Sequence, residues 1–321
     1  RKVMGQLLIS ENEFDEALRH LKVLEEVEKD STESRFKIAL IQIGKKDYKE
    51  AEQELNVILA QKPDFAEARF YLASVQATSG RTKESLDNLN KIDEKSEYFV
   101  RAQTLAVLIY KEKEDILSAE KALKKVLEVE PGNKPIATTL LTLLKEEGRF
   151  DDAESIIKDL LKQYPKDEKL LFLYGVLLHD SGKLAEAKYN MKEVIEINPK
   201  HGDALNYLAY IMAENSEDLN EASIYAERAL KIKPDEPYYL DTLGWIYYQR
   251  GEVGKAIEYL GRAVARAPSD AVILEHLGDA LAKSGQENDA QGHYRRALAE
   301  AKNKSRNINE QLIERLESKI K

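Results

Sequence analysis

Few side chains in this sequence are arranged for covalent chemistry. The five histidines, His20, His179, His201, His276 and His293, have no metal-ligand spacing, and each reads as a surface or packing residue. There is no cysteine, which excludes disulfides, thiolate zinc sites and cysteine nucleophiles but leaves the compartment open. Gly251-Glu252-Val253-Gly254-Lys255-Ala256 has a superficial likeness to a phosphate-binding loop, but it lacks the required spacing and the Ser/Thr. No catalytic residue, metal site or cofactor is therefore assigned. The chemistry that remains is recognition. Tyr210, Tyr238, Trp245 and Tyr248 are large, flat side chains of the kind that anchor protein interfaces. Whether they can do so depends on the elements that carry them.

Those elements follow a fixed count. Ala17, Ala51, Ala119, Ala153, Ala187, Ala222, Ala256 and Ala290 fall on a 34-residue grid, with one extra residue before Ala222 and the small Ser85 at the skipped position. Twelve residues after six of these alanines stands a proline: Pro63, Pro131, Pro165, Pro199, Pro234 and Pro268. Such a period is expected of a stack of two-helix units, each contacting only its neighbours.

With the alanine numbered 20 within its repeat and the proline 32, positions 4, 7, 8 and 11 are apolar or small. In one repeat they are Leu240, Leu243, Gly244 and Tyr247, and in the next Leu274, Leu277, Gly278 and Leu281. That i, i+3, i+4, i+7 spacing is one face of a helix, A, and positions 20, 24 and 27 mark a second helix, B. Gly80, Gly148, Gly182, Gly251 and Gly285 stand five residues before position 20, where a left-handed residue would close helix A. Proline would end helix B. Small residues at 8 and 20 let A and B approach closely, and larger ones fill the space around them.

Leu240-x-x-Leu243-Gly244-x-x-Tyr247, then Ala256-x-x-x-Leu260, then Pro268 resembles the tetratricopeptide repeat, with Leu in place of the usual Trp and Phe. The resemblance implies an all-α fold, a right-handed α-solenoid superhelix of about nine repeats. These are 1–31 (truncated), 32–65, 66–99, 100–133, 134–167, 168–201, 202–236, 237–270 and 271–304, followed by a capping helix over 305–321. The match is weaker in the third repeat, where Ser85 replaces Ala and Glu97 replaces Pro. In the last segment Asn307 and Glu310 have capping-box spacing, and Ile308, Leu312, Leu316 and Ile320 form an apolar stripe.

At 100° per residue, positions 2, 5, 9 and 12 of helix A point away from its core stripe. The resemblance implies that this side is the concave groove. The partner-binding candidates there are Phe172, Val176, His179, Asn206, Tyr210, Tyr238, Asp241, Trp245 and Tyr248. A second patch upstream comprises Phe36, Leu40, Ile43 and Phe70, followed by Arg101 and Lys111. The arrangement suits an extended or helical peptide from a protein partner. The competing reading is that adjacent A helices bury these side chains against one another. Position 9 holds Leu40, Ser74, Leu108, Thr142, Val176, Tyr210, Trp245 and Asp279, so the carboxylate clamp of chaperone-binding members and the asparagine ladder of the sugar-transferase superhelix are both missing.

A narrower resemblance lies in Ala204-Leu205-Asn206-Tyr207-Leu208-Ala209-Tyr210, the one-residue insertion, Lys233-Pro234-Asp235-Glu236-Pro237 and Asp241-Thr242-Leu243-Gly244-Trp245. These runs, with Ser96-Glu97-Tyr98-Phe99, resemble Gram-negative repeat lipoproteins, including the partner lipoproteins of periplasmic carboxyl-terminal-processing proteases. The resemblance implies a non-enzymatic scaffold held at the outer membrane on its periplasmic side, recruiting a protease or envelope enzyme. A cytoplasmic location is the alternative. The competing functions are a self-associating assembly protein of secretion or polysaccharide export, and the regulatory part of a larger enzyme.

The bulk composition is compatible with each. Net charge is −9 with both signs interspersed and no basic stripe, which argues against nucleic acid. No apolar run approaches the roughly 18 residues of a membrane span, and no signal peptide is recognisable. The chain opens at Arg1, inside a repeat's first helix, so a targeting segment and lipid anchor are expected upstream.

Overall fold

The computed structural model describes residues 32–303 and 309–320, with Glu16, Leu18 and Arg19. Ala17, His20, the rest of the first repeat, Asn307 and Ile308 lie outside the described residues. The described residues form helices and no strand. The chain divides into two compact bodies, Arg1–Arg149 and Phe150–Lys321. The first contains α1 (Thr32–Lys45), α2 (Tyr48–Gln61), α3 (Ala66–Thr78), α4 (Thr82–Leu89), α5 (Phe99–Glu112), α6 (Ile116–Val129) and α7 (Lys134–Glu146). The second contains α8 (Phe150–Gln163), α9 (Glu168–Asp180), α10 (Leu184–Ile197), α11 (Gly202–Glu214), α12 (Leu219–Ile232), α13 (Pro237–Gln249), α14 (Val253–Arg266), α15 (Ala271–Lys283), α16 (Glu287–Asn303) and α17 (Glu310–Lys319).

Among the described residues, every A-to-B turn has the same construction. Gly80, Gly148, Gly182, Gly251 and Gly285 take φ between 69° and 83°, and Lys46, Glu114 and Ser216 do the same work at φ 66°, 58° and 52°. The next residue reaches back five positions: Arg81 N–H donates to the Gln76 carbonyl at 2.9 Å and Glu217 N–H to that of Met212 at 2.9 Å. This is the Schellman closure, which satisfies a carbonyl the helix end leaves open. At the other end, helix B stops before its proline. The intervening residue is pushed to extended geometry, as at Lys62 (φ −131°, ψ 82°) and Asn198 (φ −132°, ψ 91°). The third repeat has no such proline, and its B helix, α4, is only 8 residues long.

Packing follows the small residues. Ala51, Ser85, Ala119, Ala153, Ala187, Ala222, Ala256 and Ala290 are completely buried. A Cβ added at Gly244 would lie 2.7 Å from Leu260 Cγ, and one at Gly278 would lie 2.5 Å from Tyr294 Cε1. In these two repeats the A helix therefore needs a glycine where the large residue at position 24 of its own B helix crosses it.

Two polar ladders tie successive repeats together at most of the described junctions. Position 21 of one repeat pairs with position 16 of the following one: Glu52 with Arg81 at 2.5 Å, Glu120 with Arg149 at 2.5 Å and Glu154 with Lys183 at 2.5 Å. Between α10 and the start of α12 the same rung has its charges reversed, with Lys188 bound to Glu217. In the second ladder Arg228, Arg262 and Arg296 donate to the carbonyls of Pro199, Pro234 and Pro268 at 3.4, 3.3 and 3.2 Å. The proline that ends one repeat is thus also an acceptor for the next.

Helix α17 packs along α16 and α15, burying Leu312 and Leu316. Its N-cap is Asn309, whose side chain accepts from Leu312 N–H at 3.0 Å. It is fastened by charge. Glu275 on α15, 1% exposed, accepts from Arg315 Nε and Nη2 at 2.7 Å each and from Lys319 Nζ at 2.8 Å. Lys319 also bonds Asp279, at 2.7 and 2.8 Å.

Candidate partner-binding surface

In the second body, the A helices α9, α11, α13 and α15 carry the aromatic candidates. Their side chains meet those of the next A helix according to a simple offset. Position 5 of one repeat touches position 6 of the next, and position 12 touches position 13, each pair 35 residues apart. Phe172 packs edge-on to Tyr207 (centroids 5.9 Å), and Asp241 Oδ1 lies 2.9 Å from His276 Nδ1. His179 Nε2 lies 2.9 Å from Glu214 Oε2, and Lys283 Nζ sits 4.3 Å from the Tyr248 ring centroid.

The C-terminal part of this surface is a layered stack. His276, Trp245 and Tyr248 lie ring on ring, at 4.2 Å and 19° for the first pair and 4.7 Å and 16° for the second. Lys283 closes the far side of Tyr248 and donates to the Tyr248 carbonyl at 3.0 Å. Both faces of Trp245 are thus occupied by the protein itself, and its edge is what remains for a partner. Burial opposes a charge on His276, but Asp241 beside it, with Glu275 and Asp279 nearby, outweighs that and raises its pKa above the ordinary histidine value. Tyr238 stands apart from the stack and is 56% exposed, next to Asp270, whose charge raises its phenol pKa ahead of the effect of burial.

A second cluster gathers Phe172, His179, Tyr207 and Tyr210. Phe172 stacks on His201 at 5.3 Å, and His179 meets Tyr207 and Tyr210 edge-on at 5.5 and 5.8 Å. Tyr210 donates to Glu214 at 3.1 Å, and burial, then the Glu214 charge, pushes its phenol up to about 12. His179 is raised as well, by its contact with Asp180 first and by Glu214 after the opposing effect of burial. Val176 is half-buried against the core. Asn206 buries its side-chain oxygen with no hydrogen-bond partner in the protein.

In the first body the upstream patch is mostly interior. Phe36 is 8% exposed and packs on Phe65 and Tyr71 at 5.5 and 5.6 Å, so its placement on an open groove is corrected: it is core. The Phe36–Tyr71 contact is again position 5 against position 6 of the following repeat. Leu40 and Ile43 are half-buried against the same cluster. Phe70 and Arg101 come together, the guanidinium lying 4.8 Å from the Phe70 ring and 5.1 Å from that of Tyr98. Lys111 is half-buried away from this contact.

A helical wheel gives the direction of these side chains but omits what covers them. Tyr207, His276, Glu214 and Lys283 were not among the candidates, and the 35-residue offset is the signal that would have found them. His179 and His276 each bridge two repeats through a carboxylate. Among the described residues no group of histidine, aspartate and glutamate could hold a metal ion, and no helix is long and apolar enough to cross a membrane.

Comparison with known proteins agrees with this architecture. Tetratricopeptide-repeat family profiles match residues 8–73, 111–172, 168–201 and 208–281. A TPR repeat-containing protein of Pseudomonas aeruginosa is 38% identical over 81 residues, which is 25% of this chain and only 14% of that protein's length. Among solved structures, the C-terminal part of a TPR repeat-containing protein from Cytophaga hutchinsonii is similar over 76% of this chain and 99% of its own, with a TM-score of 0.62 at 14% identity. A tetratricopeptide repeat protein from Parabacteroides merdae is similar over 68% of this chain and 98% of its own, with a TM-score of 0.52 at 18% identity. At these identities the structural likeness establishes the fold.

Proposed function

The chain belongs to the tetratricopeptide-repeat family, and on that premise we propose that it is a non-enzymatic scaffold whose A-helix face on α9 to α15 holds an extended or helical segment of a partner protein. The fold implies protein–protein interaction. The observation that carries the choice of surface is Tyr238, a large ring 56% exposed on the same helix as Trp245 and Tyr248, with Val272, at the same repeat position on α15, 39% exposed. Stacking of the repeats does not need either side chain in solvent, whereas a partner's apolar side chain would bury both. The carboxylates of Glu236 and Asp270 beside Tyr238 favour a partner segment of positive charge.

Within this reading the partner is a protease or another envelope enzyme, and the full-length protein is held at the outer membrane by a lipid anchor. Support for that narrower statement is the resemblance carried by residues 204–245. The surface is tested by affinity capture from a bacterial envelope extract on immobilised chain, comparing wild type with Tyr238→Ala plus Val272→Ala. Loss of one defined partner with an unchanged melting temperature is expected. Equal capture by both proteins would remove this face as the binding surface.

A further inference from the structure

The B helices carry a second surface, on the opposite side of the repeats from the aromatic stack. On α10, Tyr189 is 68% exposed and Ile197 is 39% exposed; on α12, Ile224 is 57% and Ile232 38% exposed. These are the same two repeat positions, 22 and 30, on neighbouring helices. At those positions α14 carries Glu258 and Arg266, and α16 carries Gly292 and Glu300. Helices α10 and α12 lie side by side in the same direction, since Lys188 meets Glu217 and Lys192 Nζ lies 3.9 Å from Glu221.

The charges around the four apolar side chains are inverted from one helix to the other. Position 25 is Lys192 on α10 and Glu227 on α12; position 26 is Glu193 and Arg228; position 29 is Glu196 and Lys231. Glu227 accepts from the Tyr247 hydroxyl at 3.3 Å and Arg228 donates to the Pro199 carbonyl at 3.4 Å, which holds both at the surface. A face whose two halves match in apolar positions and oppose in charge is complementary to itself.

We propose that this face binds a second copy of the chain about a two-fold axis running along α10 and α12. The axis sets α10 of one copy over α12 of the other. Tyr189 then meets the partner's Ile224, and Ile197 meets the partner's Ile232. Lys192, Glu193 and Glu196 meet the partner's Glu227, the partner's Arg228 and the partner's Lys231. An isologous contact of this kind closes at two copies and leaves the A-helix face of both open. Two helix faces bury less than the roughly 800 Å² per partner of a standard stable interface, so the dimer is weak and salt-sensitive.

Sedimentation velocity of the whole chain from about 10 μM to about 500 μM, at low and at high salt, tests this. The expected result is a rise toward dimer mass at low salt that 1 M salt suppresses. Tyr189→Glu plus Ile224→Glu remains monomeric, and so does Lys192→Glu alone. Lys192→Glu combined with Glu227→Lys regains the dimer, because the swap restores both symmetry-related pairs. Far-UV circular dichroism and melting identical to wild type show that each variant is folded. A wild-type chain that stays monomeric throughout, or a double charge swap that does not recover association, overturns the proposal.

Discussion

The ring of Trp245 lies 4.2 Å from that of His276 and nearly parallel to it, joining the A helices of two consecutive repeats. This contact makes the only tryptophan a structural layer as well as part of a surface. Trp245→Ala is expected to cost about 1–3 kcal/mol, through lost burial and the lost aromatic contacts. Denaturant unfolding followed by circular dichroism measures it. A change below a few tenths of a kcal/mol would return Trp245 to a purely partner-facing role.

The same pair responds to pH. His276 has a raised pKa in the folded chain, so its contribution to stability is fully present below the free histidine value of about 6.5 and is lost as pH rises through the folded value. His179, also raised, acts in the same direction. Stability should therefore fall as pH goes from about 6 to about 8, with a matching change in Trp245 fluorescence. Asp241→Asn leaves burial as the dominant influence on His276, lowers its titration midpoint and costs about 1.5–3 kcal/mol at pH 6. An unchanged fluorescence titration in that variant would show that Asp241 does not control the histidine.

Lys46, Glu114 and Ser216 occupy the left-handed conformation that glycine holds in the other five described turns. Replacing each with Gly should stabilise the chain by about 0.5–1 kcal/mol, the relief of the left-handed conformation exceeding glycine's greater freedom when unfolded. Gly251→Ala, at φ 78°, should destabilise it by a similar amount. Thermal melts of the four variants decide the sign.

Removing both cations that hold α17 isolates a buried charge. Arg315→Ala plus Lys319→Ala leaves Glu275, 1% exposed, without its pairs and should cost about 3–5 kcal/mol near neutral pH. Glu275 is held below its ordinary pKa because Arg315 and Lys319 outweigh its burial. In wild type the contribution is therefore present above about pH 4.5 and lost as pH falls through the lowered value. Hydrogen exchange at Leu312 and Leu316 reports the release of α17.

Much of the repeat construction can be read from single residues because it is set within one repeat. Ala256 must be small because α13 crosses it, Gly251 must tolerate positive φ because the chain reverses there, and Ala267 is extended because Pro268 follows. The candidate surface is harder to read because neighbours decide it. A helical wheel gives the direction of Trp245 but says nothing of His276 lying over one ring face and Tyr248 over the other. Phe36 points the same way in its repeat as Phe172, yet Tyr71 and Phe65 close over it. The cap of α17 illustrates another limit, since only the helix start singles out Asn309 as its N-cap.

The reversed rung between Lys188 and Glu217 bears on the order in which the repeats assemble. Repeats of nearly equal shape could stack out of sequence while the chain folds. If the seventh repeat docked on the fifth, Glu154 would face Glu217; if the sixth docked on the sixth of another chain, Lys188 would face that chain's Lys183. Both errors bring like charges together where the native order brings opposite ones. One inverted ion pair thereby gives otherwise interchangeable modules a sense of sequence, a proofreading mark written into the stack.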